Sequence, residues 1–441
     1  MIPKYVEAVI SALKKNGHEA YLVGGCVRDM LLGSEPFDYD VTTSALPEET
    51  KRALSGFKVI ETGIAHGTVT AVSDGKSVEI TTYRADGEYT DHRRPDSVSF
   101  TKSLREDLSR RDFTVNAIAF DGCEIVDPFG GREDLEKRMI RAVGDPEKRF
   151  DEDALRILRA LRFASKLGFE IESGTKAAIR KKYHLLSCVS SERVYSELCG
   201  ILLGDNVCSV LLEFPEVICH IIPELRESVG CDQMTPYHIY DVYGHTARVV
   251  ANARKDKILR LAALLHDVAK PKMKTVDSRG RGHFKGHAPE GAKTAETVLK
   301  RLRAESETVK RVCELIALHD ERPEANERSV LRYMAKYSYA DLDRLTELRR
   351  ADNLAKNPDH KGENDDIDRF EEVYRKLLLE GAPYKVSQLR INGGEIAELG
   401  ADGREIGETL SHLLSLAVEG RVENENNALK SAAKSYIQAK K

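Results

Sequence analysis

Tyr21-Leu22-Val23 reads as a short strand that breaks at Gly24-Gly25 and gives way at once to Cys26-Val27-Arg28-Asp29. Nine residues further on stands Asp38-Tyr39-Asp40. The punctuation predicts a strand, a glycine turn, a helical turn over 27–32 stopped by Gly33, and a second strand through Tyr39-Asp40-Val41. A glycine pair lets backbone come close to a phosphate, and carboxylates at i and i+2 of a strand project from one face. Such an order commits the N-terminal region to a small mixed α/β unit with two acids on one side.

Two carboxylates on one face suit divalent metal ions. A nucleoside triphosphate carries several negative oxygens, and a hydroxyl attacking it must lose a proton beside them. Mg2+ held by Asp38 and Asp40 would stabilise both the nucleophile and the departing pyrophosphate. Glu79 alternates with Val78 and Ile80 in Ser77–Arg84, which places it on the polar face of a strand of the same sheet, as a third carboxylate. The expected catalytic set is Asp38, Asp40 and Glu79.

Further segments carry polar groups at readable spacings. Leu155, Leu158, Leu161 and Phe163 recur at helical intervals in 151–167, so the reading predicts one helix with Asp153 and Arg156 three apart on nearly one face. An acceptor beside a fork of donors is what hydrogen-bonding the edge of a base requires. In Arg110-Arg111-Asp112-Phe113-Thr114-Val115-Asn116, the guanidiniums suit triphosphate oxygens, Asp112 a ribose hydroxyl, and Asn116 a sugar or phosphate edge. Between 86 and 96 lies a Gly- and Pro-punctuated stretch without apolar periodicity, read as a loop.

Val23-Gly24-Gly25-Cys26-Val27-Arg28-Asp29-Met30-Leu31-Leu32-Gly33 followed by Asp38-Tyr39-Asp40 resembles the first motif of class II tRNA nucleotidyltransferases, the CCA-adding enzymes, and of related bacterial poly(A) polymerases, within the polymerase beta superfamily. Arg110–Ile118, Asp127-Pro128-Phe129-Gly130-Gly131 with Asp134-Leu135, and Glu152-Asp153-Ala154-Leu155-Arg156 are similar to the second, third and fourth motifs, in order. The resemblance implies addition of C, C and A to tRNA from CTP and ATP, with Asp153 and Arg156 choosing the base. It also implies that the 86–96 loop, present at full length, serves the final A. The expected nucleotide-binding residues are Gly24, Gly25, Arg28, Arg111, Asp112, Asn116, Asp153, Arg156, Arg159 and Arg162. Two readings within the same chemistry stay open, a poly(A) polymerase and an A-adding or CC-adding enzyme.

Seven of the thirteen histidines fall between 220 and 319. Ile258, Leu261, Ala262 and Leu265 form an apolar stripe ending in His266-Asp267, so the pair is expected at a helix end, facing inward. His245, His266-Asp267, His287, His319 and Asp352 resemble the ligand order of the HD phosphohydrolase superfamily. Imidazole and carboxylate ligands suit Mn, Fe, Ni, Co or Mg. The resemblance implies hydrolysis of phosphate esters, and an HD phosphohydrolase with a nucleotide-sensing head is the alternative from another class. Lys270 is a candidate phosphate contact.

The chain has 441 residues, 68 basic against 72 acidic, so a net charge of −4 leaves RNA affinity to a local patch. Basic residues from Lys137 to Lys182 are expected to supply one. The helix opening at Ser190-Ser191-Glu192 is read as capped and structural. The eight cysteines lack C-x-x-C spacing, no apolar run reaches a membrane span, and the N-terminus lacks a signal core. The expected compartment is the cytoplasm, with no membrane partner and a homo-oligomer left open. The expected architecture is an α/β head (1–130), then mostly helical parts: a base-selecting and RNA-binding neck (131–225), an HD domain (226–360) and a tRNA-contacting tail (361–441).

Overall fold

The computed structural model describes residues 2–64, 67–87, 98–337, 339–360 and 364–440. Most of the 86–96 loop lies outside them. The chain divides into two compact units, 1–226 with 301–304, and 227–300 with 305–441. No helix among the described residues is long and apolar enough to cross a membrane.

The first unit opens with a mixed α/β head. Helix α1 (Lys4–Lys15) buries Val6, Val9, Ile10 and Leu13, an i, i+3, i+4, i+7 stripe laid on the sheet. The strands are β1 (Ala20–Val23), β2 (Asp40–Thr43), β3 (Lys58–Gly63), β4 (Thr68–Ser73) and β5 (Lys76–Thr82), then a separate hairpin of β6 (Arg84–Asp86) and β7 (Val98–Phe100), then β8 (Ala119–Phe120) and β9 (Ile125–Val126). The sheet order is β3-β4-β5-β2-β1-β8-β9. Every described pairing in it is antiparallel except β2 with β5. That exception matters for the site, because Asp40 and Glu79 are register partners across it. Val78, Ile80 and Thr82 turn into the core while Glu79 stays exposed, the alternation expected of a half-buried strand.

Helices α2 (Gly25–Leu31) and α3 (Pro47–Ala53) follow β1 and β2, and α4 (Leu104–Ser109) leads into the Arg110-Arg111 segment. The remainder of this unit is helical: α5 (Gly131–Glu136), α6 (Pro146–Glu152), α7 (Leu155–Leu167), α8 (Ser173–Lys182), α9 (Ser191–Leu202), α10 (Val207–Glu213) and α11 (Pro215–Ile221). The expected single helix over 151–167 is two. Asp153 has extended backbone between α6 and α7, and its Oδ1 accepts the Leu155 N–H at 3.1 Å, so its carboxylate caps α7 in place of joining it. Apolar spacing runs across this break, which is why periodicity alone did not locate it.

The second unit begins with helices α12 (Val242–Asn252), α13 (Lys257–Leu265), α14 (Lys270–Met273), α15 (His287–Arg301), α16 (Ser306–Leu318), α17 (Glu327–Lys336) and α18 (Tyr339–Leu354); α12 and α15 carry His245 and His287, and His266 and His319 directly follow α13 and α16. Residues 259–270 are buried without interruption, so the stripe of α13 carries His266 and Asp267 into the interior; Ile258 is half-buried. Beyond lie helices over Asp365–Leu379, Gly393–Glu398, Arg404–Val418 and Asn426–Lys440. Here Ile391 and Ile396 pack with Leu413, Leu429 and Ile437 in an apolar cluster.

Candidate functional site: a carboxylate face, an arginine cavity and a histidine cluster

At the end of β1 the backbone turns through Gly24 at φ +77°, a conformation that favours glycine. A Cβ there would lie 2.9 Å from Arg111 Nη1, so the missing side chain is also what lets that guanidinium reach the turn. Arg28, buried on α2, donates from Nη1 to Asn116 Oδ1 at 2.8 Å and from Nε to Asp29 Oδ1 at 2.8 Å.

Asp38 is exposed and precedes β2, which starts at Asp40. The expected shared strand face for the two is therefore corrected: β1 leaves the sheet at Gly24, and its last pair with β2 is Val23 with Asp40. The two carboxyls still interact. Burial, then the charges of Asp38 and Glu79, push the Asp40 carboxyl up to about 6 against the pull of Arg111. A cation would relieve the charge that Asp38 and Glu79 place on Asp40, and carboxylates are the ligands that Mg2+ takes.

Asp107 was not singled out from sequence. Fully buried, it holds Arg110 at 2.8 Å and lies 3.7 Å from Arg111. An acid three and four residues before a pair of arginines is a helical spacing that could have marked it. Arg111 is held below its ordinary value by burial, with Asp107 and Asp40 as counter-charges.

Asp112 accepts from the Phe113 N–H (2.8 Å), Asn116 Nδ2 (3.0 Å) and Arg159 Nε (2.8 Å). Burial would raise its carboxyl, but Arg159, then the hydrogen bonds of Asn116 and Arg159, hold it down at about 2. Its oxygens thus hold Arg159, Asn116 and the Phe113 N–H. Asp153 and Arg156 also face separate partners. Asp153 Oδ2 meets Arg193 at 3.1 Å, while Arg156 bonds Glu152 Oε2 at 2.7 Å and donates to the Arg110 carbonyl at 2.8 Å.

A cavity of about 230 Å3 brings these groups together, lined by Arg110, Arg111, Asp112, Asp153, Leu155, Arg156, Arg159 and Arg193. Five guanidiniums against two carboxylates make an anion-accepting wall with acceptors for a base edge. Arg193 had been read as part of a structural helix, and Ser190 makes no side-chain cap to it; only a contact across 40 residues reveals it. Arg162, beside the cavity, ion-pairs with Glu197 at 2.9 Å, and Gly200 leaves room for its stem, since a Cβ there would meet Arg162 Cδ at 2.5 Å. Within the wider basic patch, Lys137, Arg141, Arg149, Lys181 and Lys182 are each paired with a neighbouring acid.

The second unit holds the tighter cluster. Among the described residues, ligand-type atoms converge within 4.8 Å in two groups, His245 with His266 and Asp267, and Asp267 with His287 and His319. Asp267 belongs to both. Its oxygens lie 3.1 Å from His266 Nε2, 3.7 Å from His245 Nε2, 3.4 Å from His287 Nε2 and 3.7 Å from His319 Nε2. Asp352 Oδ1 is 2.8 Å from His245 Nε2. His266, His287 and His319 each put Nδ1 at 2.7–2.8 Å from a backbone carbonyl, of Ala263, Phe284 and Ile316. A carbonyl only accepts, so those Nδ1 atoms carry hydrogen and the Nε2 atoms are the ones that face Asp267.

Both Asp267 oxygens and His266 Nε2 are buried without a hydrogen-bond partner. Lys270 Nζ is 2.7 Å from Asp267 Oδ2 but off the hydrogen-bond line, its bond going to Gln233 Oε1. Carboxylate oxygens ringed by imidazole nitrogens, in two groups that share Asp267, fit a divalent cation. A cavity of about 590 Å3 opens on this cluster, with Lys270, Lys285, Arg322, Arg349 and Lys356 in its wall. Lys270 is buried, not a solvated surface lysine. His238 and His283 line the cavity too.

Residues 20–141 match the poly A polymerase head domain, 168–216 a probable RNA- and SrmB-binding site of polymerase A, and 236–357 the HD domain. The CCA-adding enzyme of Geobacillus kaustophilus is 50% identical over 214 residues, 48% of this chain and 52% of that one. That of Lactobacillus helveticus is 53% identical over 199 residues, 45% of this chain and 49% of that one. The chain thus spans about half the length of the curated relatives it matches. The solved CCA-adding enzyme of Bacillus stearothermophilus in complex with CTP superposes with TM-score 0.73 at 29% identity, covering 100% of this chain and 99% of that one. The Thermotoga maritima enzyme complexed with tRNA shares the fold at TM-score 0.60 and 20% identity, over 99% and 96%. The chain is thus similar to the poly A polymerase head domain through residues 20–141 and to the HD domain through 236–357, and along its length it is similar to the CCA-adding enzymes.

Proposed function

We propose that the chain adds C, C and A in turn to the 3' end of tRNA, consuming CTP and ATP and releasing pyrophosphate. The observation that carries this reading is the cavity in which Arg110, Arg111, Asp112, Asp153, Arg156, Arg159 and Arg193 meet. Likeness to CCA-adding enzymes over the whole length supports it. In this reading residues 1–130 hold the triphosphate and the acids, 131–225 select the base and meet the RNA, and 361–441 contact the tRNA body.

Asp38 and Asp40, with Glu79 assisting, would hold Mg2+, which supplies the charge that stabilises a forming alkoxide and a leaving pyrophosphate. Arg28, Arg111 and the turn at Gly24 and Gly25 place the phosphates. Asp112 fixes Arg159 and Asn116 in position, and Arg162 closes the wall. Asp153, oriented by Arg193, offers an acceptor and Arg156 its donors, so a base edge is read by side chains. Positioning of this kind suits a reaction in which the protein does little covalent chemistry itself.

The test is tRNA ending at the discriminator base, incubated with single labelled nucleotides. CTP alone should add two residues, and CTP with ATP three. A long A tail, or A added without C, would instead select one of the two related activities.

For the HD domain we propose metal-dependent hydrolysis of a phosphate ester, supported by the shared, orphaned Asp267 among four imidazoles and the cationic cavity wall. The ions suited to it are Mn, Fe, Ni, Co or Mg. Phosphatase activity that survives loss of Asp40, without any nucleotide addition by the intact chain, would favour the reading in which the head only senses nucleotide.

A further inference from the structure

Phe163 lies on α7, buried with 7% of its surface exposed. Three guanidiniums stand over its one ring, Arg28 at 5.1 Å, Arg159 at 5.5 Å and Arg162 at 4.9 Å from the centroid. Arg28 comes from α2, beside the glycine turn, and the other two from α7. The ring is itself gripped edge-on by Phe113, centroids 5.8 Å apart at 82°, and Phe113 adjoins Asp112.

Three like charges around one point repel. Each has a carboxylate elsewhere: Asp29 for Arg28, Asp112 for Arg159 and Glu197 for Arg162. Asp112 and Glu197 each act on both Arg159 and Arg162, while Arg28 pairs with Asp29, so the feature common to all three is the aromatic face. The negative face of a benzene ring attracts cations without accepting their hydrogen-bond donors as a carboxylate would. A ring therefore gives a common anchor to guanidiniums whose N–H groups already meet Asp29, Asn116, Asp112 and Glu197. Around it runs a chain of contacts, from Arg28 to Asn116 at 2.8 Å, Asn116 to Asp112 at 3.0 Å and Asp112 to Arg159 at 2.8 Å.

We infer that Phe163 is a positioning residue that ties Arg28, on the phosphate side, to the base-selecting helix α7 through the face of its ring, and so sets nucleotide affinity without touching the nucleotide. This rests on the nucleotidyl-transfer reading above. Substituting the ring by an alkyl group of similar bulk loosens all three guanidiniums together.

The experiment replaces Phe163 with mono-, di- and trifluorophenylalanine in the full chain, a series that keeps ring shape while draining the face of charge, and adds Phe163→Leu. CTP and ATP binding is measured by calorimetry, and steady-state addition to tRNA beside it. The expected result is a KM and dissociation constant that climb stepwise with fluorination to about tenfold, with kcat at saturating nucleotide and melting temperature held. Phe163→Leu should match the trifluoro chain. Affinity that ignores fluorination, or falls only in Phe163→Leu, would overturn the inference and leave a packing role. A parent chain that binds CTP but transfers nothing would sink the transfer reading alone, since binding still answers for the ring; one that binds no CTP sinks both.

Discussion

Asp40 and Glu79 are register partners in the parallel ladder of β2 and β5, two acids side by side on one face. Burial, then Asp38 and Glu79, raise the Asp40 carboxyl to about 6. A raised acid binds its proton more tightly folded than unfolded, so the contribution of Asp40 without metal is fully present below pH 4 and is lost as pH climbs through about 6. Asp40→Asn should therefore melt higher than the parent at pH 7.5 in chelator and no higher at pH 4, while nucleotide addition falls on the order of a thousandfold. Thermal unfolding at the two pH values and primer extension check both halves; equal melting at both would mean a carboxyl bathed in water.

Asp112 gives the opposite sign. Its carboxyl is depressed to about 2 by Arg159 and its hydrogen bonds, which overcome burial. The stabilisation is complete above the ordinary carboxyl range near pH 4 and disappears as pH falls through about 2. Asp112→Asn should lose about 2 kcal/mol at neutral pH, a gap that closes between pH 4 and 2. Urea melts across that window measure it.

Gly24 and Gly33 both have positive φ, at +77° and +74°, but only Gly24 has a neighbour, Arg111, where a Cβ would sit. Alanine at either position should cost about 1–2 kcal/mol from backbone strain. Gly24→Ala should in addition weaken CTP binding about tenfold, because it displaces the guanidinium. Equal binding by the two variants would mean that Arg111 does not hold phosphate.

In the HD domain, Asp267 belongs to both ligand groups while His319 belongs to one. After loading with Mn2+ and desalting, metal analysis should find up to two ions in the parent, near one in His319→Asn and near none in Asp267→Asn. Nucleotide addition by the head should be unchanged in both. Full metal retention by Asp267→Asn would dismiss the shared carboxylate.

Much of this was readable before any coordinates. Alternation around Glu79 put it on the polar face, glycine marked the turn after β1, and the α13 stripe pointed His266 and Asp267 inward. What sequence could not carry were relations across distance and breaks in register. Asp153 stops a helix whose apolar spacing continues past it. Arg193 finds Asp153 from 40 residues away, and Asp112 spends its lone pairs on Arg159 47 residues on. Nor does composition tell a basic patch from basic residues that each have a partner, as Lys181 and Lys182 do.

The lone parallel pairing has a consequence for how the head assembles. β2 and β5 cannot be joined by a tight turn, and the intervening chain contains α3 and the β3–β4 pair. β4 and β5, by contrast, are close neighbours that zip locally. The two acids therefore meet only when a prebuilt meander closes on β1 and β2, a long-range step taken against their mutual repulsion. Magnesium present during refolding should quicken that closure by screening the two carboxylates as they approach.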